Sequence, residues 1–420
     1  MNKTYDLIVA GGGFTGVAAA VAAAREGLKV LVVEKNGFLG GAACENYVNP
    51  FMDFEMRDKE TGKPVRLNTG IFSTILERLD ELGGLHKNRR TFSEEYVKVV
   101  FDRLLREAGV DVLFHSYVMD ARMEDSRIKS ISIVNISGRQ ELSARYFIDA
   151  TGNAELSVLA GCDYQLGRET DNLCQPMTLC FRIANVDTDK YWGKSSRTMN
   201  DIYKKLQQEG KIKNPREDVL TFTHMADGVV HFNSTRIVKH DPTNVADVTE
   251  AEMIAREQMV ELYHFMKENV AGFENATLLA SAPSIGTRES RMVKGKYTIV
   301  ADDIVNCTKF EDSIARGNYE IDIHSPDGTG TTHVGVPAGE YYTIPYRALV
   351  PQSVKNLLVA GRCISSTHEA QAAYRIIPIC TCIGEGAGLA ASLAANNGCD
   401  TDQISIDSLH ALLDKYGASY

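Results

Sequence analysis

Residues 5–35 read YDLIVAGGGFTGVAAAVAAAREGLKVLVVEK. An apolar run, 5–10, ends in glycines; a small-residue stretch, 14–26, follows, and Gly27 leads into a second apolar run, 29–34. This order predicts β-α-β, two parallel strands joined by a crossover helix with almost no loop. Gly11, Gly13 and Gly16 form G-x-G-x-x-G at the strand-to-helix junction, with Phe14 and Thr15 inside the same turn. The first glycine permits the tight turn, the second lets backbone approach a diphosphate, and the third lets the helix pack on the strand, helped by the alanine-rich run 18–24. The helix N-terminus offers free N–H groups and a partial positive charge to phosphates. Glu34 ends the second strand, where a carboxylate can accept both ribose hydroxyls of an adenosine. To this point the pattern suits NAD and FAD alike.

After this unit, a glycine-bearing loop (38–44) precedes helical patterns at 71–82 and 93–108 and a strand at 110–115. Residues 119–139 alternate in short apolar bursts, as in IKSISIVNI, and predict an antiparallel hairpin or meander that returns to a strand at 146–150. From about 165 to 335, β-like runs at 177–183, 229–233 and 296–300 mix with amphipathic helices at 202–209 and 250–267. After Tyr341 the α/β rhythm resumes, with a strand at 356–360 and a small-residue helix at about 384–395. The expected fold is α/β: a Rossmann-like domain from residues 1–165 and 339–420, carrying an inserted β meander, and a second α+β substrate domain, 166–338, packed closely onto it.

At 420 residues the chain is too long for one simple core, and 44% hydrophobic with 24% charged residues describes a globular protein. A net charge of -10 disfavours nucleic acid or an anionic membrane as partner. MNKTYDLIVAGGG has no basic stretch followed by an apolar run and a cleavage site, and the apolar windows 17–24 and 389–395 fall short of the roughly 20 residues that span a bilayer. A cytoplasmic protein without a membrane anchor is therefore expected. Nine cysteines, with no CxxC pair, read as reduced thiols; Cys380 and Cys382, expected in a strand-to-helix passage, would face opposite ways. No HExxH, His-x-Cys cluster or repeated carboxylate spacing suggests a metal, and no G-x-S-x-G suggests a hydrolytic nucleophile.

Two later segments separate FAD from NAD. RYFIDATGNAE ends in Ala150, Thr151 and Gly152, which resembles the ATG signature of flavoproteins with two dinucleotide-binding domains. NLLVAGRCISSTHEAQAAYRIIPICTCIGEGAGLAASLA resembles the closing FAD motif of that class. The order GGGFTG, VVEK, FLGGAA, ATGN, RESR, YTIPYRALVP and NLLVAGRCISSTHEA is similar, over nearly the whole chain, to the FAD-dependent oxidoreductases, distant relatives of the fumarate reductase flavoproteins. The resemblance implies FAD, with Gly11 to Gly16, Glu34, Lys35, Gly40, Gly41 and the turn Ala150, Thr151, Gly152 around the ADP half. It implies Val118 as a backbone contact to adenine, and Gly361 and Arg362 at the ribityl or diphosphate region. Asn153 departs from the acidic residue usual after ATG. Cys44 matches a position near which relatives place the flavin's dimethylbenzene edge or a covalent link. Gly384, Gly386 and Gly388 would open a helix whose positive end stabilises charge on the reduced ring, or would simply allow close helix packing.

No second nucleotide unit is visible: GTGTTHVG, 328–335, has two glycines but no following helix. Electrons are therefore expected to pass through the substrate, a diffusing carrier or a protein partner. Hydride transfer to flavin needs a base for the accompanying proton and cations for an anionic substrate. The candidates are His368, followed by Glu369, as acid or base, and Arg375, beside Tyr374, as a bidentate carboxylate ligand. Arg288 and Arg291 in TRESRMVKG share a face if helical, with Glu289 placed to orient one of them, and His324 in EIDIHSPDG is a further candidate. A surface arginine and a structural histidine are the plain alternatives for each. The leading expectation is a dehydrogenase or reductase acting on a small polar, anionic molecule. A flavin monooxygenase is the second. The third is a flavoprotein subunit feeding a protein partner, which would have to carry any iron–sulfur centre because no cysteine cluster lies here.

Overall fold

The computed structural model describes residues 4–420; residues 1–3, the start of the stretch read above as leaderless, lie outside the described residues. Tyr5–Ala10 (β1), Phe14–Arg25 (α1) and Val30–Val33 (β2) form the expected unit, with Leu7 of β1 opposite Val30 in a parallel pair. All four β2 residues are buried, as a parallel strand covered on both faces requires. Asp111–Leu113 (β3) continues the parallel sheet beyond β2. Tyr117–Glu124 (β4), Arg127–Asn135 (β5) and Gly138–Asp149 (β6) are the meander. The strand expected separately at 146–150 is the far half of β6, which runs antiparallel to β5 up to Ser143 and parallel to β1 from Ala144 onward. The strand Leu357–Val359 pairs with the same half of β6, so the last segment of the chain returns to the sheet that the first one founds.

Ile71–Glu81 (α2) and Glu94–Glu107 (α3) each bury one apolar face, Ile71, Phe72, Ile75, Leu76 and Leu79 in the first. Phe181–Ala184 (β7), Thr221–Thr223 (β8), Val230–Phe232 (β9) and Thr277–Ser281 (β10) make a second, antiparallel sheet in the order β8-β9-β7-β10. Val245–Asn269 (α4) packs over a separate apolar core there, in which Phe181 and Phe232 stack at 4.7 Å. Val293, Ile299, Ile314 and Ile321 instead join the first core. The run 296–300 is not a strand. Its backbone is satisfied by loops, Lys296 N–H by the Val350 carbonyl and Ile299 N–H by that of Ser365, so one isolated bridge is all that forms. Of 177–183 only the end from Phe181 is regular strand; Met177 and Thr178 make single bridges.

The helix expected at 384–395 is the later part of a 21-residue helix, Ile377–Asn397 (α6), preceded by His368–Tyr374 (α5). Gly384, Gly386 and Gly388 therefore lie inside the helix and do not open it. A Cβ on Gly384 would stand 2.2 Å from the Thr15 carbonyl oxygen, and one on Gly388 2.2 Å from that of Ala19. These glycines let α6 lie directly on α1, and Gly386 faces Ile314. By length and composition α6 could cross a membrane, but 94% of its most apolar window is buried inside the protein. Cys380 and Cys382 sit on this helix, not in a strand-to-helix passage, and they do diverge: Cys380 lines the cavity described below and Cys382 meets Asn68 and Thr69.

Candidate functional site

A cavity of about 310 Å³ runs from the β1–α1 turn to the start of α6. One end is lined by Gly11, Gly13, Phe14 and Thr15, by Glu34 and Lys35 at the end of β2, and by Gly40, Gly41 and Val118. Ala150, Thr151, Gly152, Asn153, Gly361 and Arg362 line its middle, and Arg375, Ile377 and Cys380 its far end. Pro242, Val248, Glu252, Ser284, Ile285 and Thr287 close it from the side of the second sheet.

The turn is built by backbone contact. A Cβ on Gly16 would fall 1.9 Å from the Gly11 carbonyl oxygen, so Gly16 serves the packing of α1 and does not itself line the cavity. No side chain caps α1 at Gly13, which leaves the N–H groups of its first turn for an anion. Glu34 is buried and accepts from Gly12 N–H at 2.6 Å and from Asn36 N–H at 2.8 Å. Burial raises its pKa above the usual glutamate value. Each oxygen keeps a lone pair for a hydroxyl. Lys35 Nζ lies 2.9 Å from Glu45.

Asn153 accounts for its own departure from the family pattern. Its Oδ1 accepts from Arg362 Nη2 at 2.7 Å and from Ser290 Oγ at 2.9 Å. A neutral amide oxygen holds the Arg362 guanidinium beside Gly152 without neutralising it, and the buried Arg362 Nε has no partner among the described residues. A positive group with a spare donor, an uncapped helix N-terminus and a carboxylate with open lone pairs, all on one cavity wall, fit the diphosphate and adenosine of FAD.

Besides Gly16, three expected cofactor residues lie outside the cavity lining. Gly384 and Gly386 lie within α6, away from the cavity lining. Cys44 is fully buried against Gly40, its Sγ 3.5 Å from the Glu94 carbonyl, and burial raises its pKa well above the usual thiol value. A side chain so enclosed cannot meet a flavin edge or link to one. What α6 does bring to the cavity is its true first turn, uncapped at Ile376, through Ile377 and Cys380.

At that end Arg375 Nη2 approaches Gln175 Oε1 at 3.4 Å, the Asp322 carbonyl at 3.2 Å and the Asp322 carboxylate at 3.8 Å, while its buried Nε has no partner among the described residues. Arg288, next to the cavity residue Thr287, donates to the Pro176 carbonyl at 2.8 Å, to Thr178 Oγ1 and to Asn233 Oδ1 at 3.2 Å. All three acceptors are neutral. Close packing and the neighbouring Arg375 charge push its pKa down to about 9, which leaves it charged at neutral pH.

His368 and Glu289 form a buried pair, Nδ1 to Oε1 at 2.7 Å. Arg288 and Arg291 do not share a helical face, because Arg291 begins the strand Arg291–Val293; it lies over Tyr164 and bonds the Asn153 carbonyl. Glu289 thus orients His368 and neither arginine. His324 Nδ1 contacts Arg236 at 3.0 Å and Thr331 at 3.2 Å. Burial and then the Arg288 charge push its pKa down to about 3, so it stays neutral inside a packed network. The sequence reading missed Glu45, Glu252 and Ser284, which carry no local motif; Asn153 was signalled only as a departure.

With this geometry in view, residues 6–413 match the FAD dependent oxidoreductase family. Among curated proteins the chain is 27% identical over 218 residues to digeranylgeranylglycerophospholipid reductase 1 of Methanococcoides burtonii, covering 45% of this chain and 47% of that one. It is 27% identical over 192 residues to the glutathione reductase of Schizosaccharomyces pombe, covering 44% of this chain and 39% of that one. The chain spans about half the length of the curated relatives it matches. Solved structures with a similar course include a geranylgeranyl bacteriochlorophyll reductase-like protein from Thermoplasma acidophilum, with a TM-score of 0.48, 14% identity and coverage of 99% and 82% of the two chains. Another is a p-nitrophenol 4-monooxygenase from Pseudomonas putida, with a TM-score of 0.45, 12% identity and coverage of 98% and 86%. The match over nearly the whole length meets a cavity whose charges and donors suit the cofactor, and the chain belongs to the FAD dependent oxidoreductase family.

Proposed function

We propose that this FAD-dependent enzyme is a dehydrogenase or reductase of a small polar substrate that carries a negative charge. The observation that supports the reading is the pair Arg288 and Arg375. Each guanidinium stands in the other's field, Arg288 is in no ion pair among the described residues, and Arg375 meets a carboxylate only at 3.8 Å. Two like charges held together cost free energy that an anion placed between them offsets, and a planar guanidinium suits a carboxylate in two-point contact. The uncapped first turn of α6 adds a partial positive charge at the same end.

FAD, when bound, supplies the site that takes up or returns a hydride. The chain has to hold the substrate and to move a proton. Arg288 and Arg375 hold the anion; His368, with Nδ1 on Glu289, exchanges the proton. Electrons are proposed to enter or leave through the substrate, a diffusing carrier or a protein partner, in keeping with the single G-x-G-x-x-G motif read in the sequence.

The test is anaerobic. The purified protein is exposed to a panel of small carboxylates, and after dithionite reduction to the same panel as oxidants, with flavin absorbance as readout. At least one should bleach or restore the flavin. In Arg375→Met the half-saturating concentration should rise roughly 10- to 100-fold, the ~1.5–3 kcal/mol of a hydrogen bond to a charged group, with the flavin spectrum intact. An unchanged response in Arg375→Met, or turnover confined to uncharged aromatics with oxygen consumed, would overturn the reading.

A further inference from the structure

We infer that Glu289 is a positioning residue that holds His368 in the tautomer with its proton on Nδ1 and its lone pair on Nε2; the inference rests on the proton role given to His368 above. Glu289 is 0% exposed, two residues beyond the cavity-lining Thr287. Its oxygens are committed separately. Oε2 accepts the backbone N–H of Gln175 at 2.8 Å, and Oε1 lies 2.7 Å from His368 Nδ1. An ionised carboxylate only accepts, so a contact that short makes Nδ1 the donor. In the neutral ring the other nitrogen then carries no proton.

Nε2 makes no hydrogen bond among the described residues, and His368 as a whole is 5% exposed. A carboxylate behind Nδ1 also steadies the imidazolium that forms when Nε2 takes a proton, which is the arrangement a general base needs. Glu369, the sequence neighbour, is exposed, and the carboxylate that meets the ring is Glu289. The same helix ties the pair to the anion site: Gln371 on α5 donates to the Arg288 carbonyl at 3.0 Å, and Arg375 caps α5 and lines the cavity. One short helix thus fixes the proton-bearing ring relative to both arginines.

The substitution Glu289→Gln isolates this role because it keeps size and shape. The buried Gln175 N–H still demands an acceptor, so the new amide oxygen stays there and the amide NH2 turns toward His368. Nδ1 must then accept, and the ring proton moves to Nε2.

The experiment is nitrogen-15 NMR of histidine-labelled holoenzyme, with the His368 signals identified by their loss in His368→Asn. The wild type should show a protonated Nδ1 and a bare Nε2, and Glu289→Gln the reverse. Turnover of a substrate found in the anaerobic screen should fall in Glu289→Gln by roughly 10²- to 10⁴-fold, the span of general acid–base catalysis, with KM unchanged. A wild-type ring protonated on Nε2, or a tautomer indifferent to Glu289→Gln, overturns the inference, and the wild-type spectrum alone suffices if the variant does not fold. A tautomer that switches while turnover holds refutes the proton role of His368 and leaves the positioning by Glu289 standing.

Discussion

Glu385 is a buried carboxyl whose titration adds a pH-dependent contribution to stability. It lies on α6 with 1% exposure; Oε2 accepts the Ile71 N–H at 2.9 Å where α2 begins, and Oε1 has no partner among the described residues. Burial raises its pKa from 4.5 to about 7. The folded chain therefore keeps this proton up to about pH 7, whereas the unfolded chain releases it near 4.5. Stability falls as pH rises between those values, by about 3 kcal/mol at most, taking ~1.36 kcal/mol per pKa unit. Glu385→Gln keeps an acceptor for Ile71 and removes the titration. Urea unfolding across pH should find the variant's advantage near zero at pH 4.5 and growing to about 3 kcal/mol by pH 8; a constant difference would contradict the assignment. At this scale the sequence was legible where chemistry is local. Glu34 could be placed because a strand, a turn and a helix fix its distance from the glycines. Glu289 could not, because its partner lies 79 residues away and only the folded chain brings the two together.

The glycines of α6 belong to the element scale. In isolation they weaken a helix, and taken as its opening turn they put its start at residue 384, seven residues after its actual start at Ile377. Contact with α1 reverses the preference: Gly384 and Gly388 are the positions where any side chain would strike the carbonyls of Thr15 and Ala19. Gly384→Ala and Gly388→Ala should each destabilise the protein by on the order of 1–3 kcal/mol, visible as a lower thermal midpoint. Alanine at Gly27, with nothing near its side but a φ of +87°, should cost less than that, mainly backbone strain. A smaller effect at Gly384 than at Gly27 would mean that the helices do not touch as described. The same contrast explains the other boundaries. Strong periodic segments, β1, α1, β2, α2 and α3, were legible from their own residues, whereas β6 read as two strands because its halves serve different neighbours. Residues 296–300 had strand composition but found only loops to pair with.

For the whole molecule, the first core gathers residues from both ends of the chain, and a second core lies under the antiparallel sheet. The cavity lies between the first core and a third, smaller one that includes Ala251, Ala282 and Ile285, and Asn46 Nδ2 bridges it by donating to the Ser284 and Ile285 carbonyls, each at 3.1 Å. The dinucleotide end was legible because a contiguous glycine motif marks it. The end proposed for the substrate was not, since Arg288, Glu289, Asp322 and Arg375 come from three separate segments and their relation exists only in the fold. The proposed grip of the first turn and Glu34 on the dinucleotide is the contact on which FAD binding depends most directly. Calorimetric titration of the flavin-stripped chain with FAD measures it. The expected result is uptake of one FAD per chain with return of the flavin spectrum, weakened roughly 10- to 100-fold in Glu34→Ala, the ~1.5–3 kcal/mol of hydrogen bonds to a charged group. A chain that takes up no FAD, or binds it equally well without the Glu34 carboxylate, would contradict it.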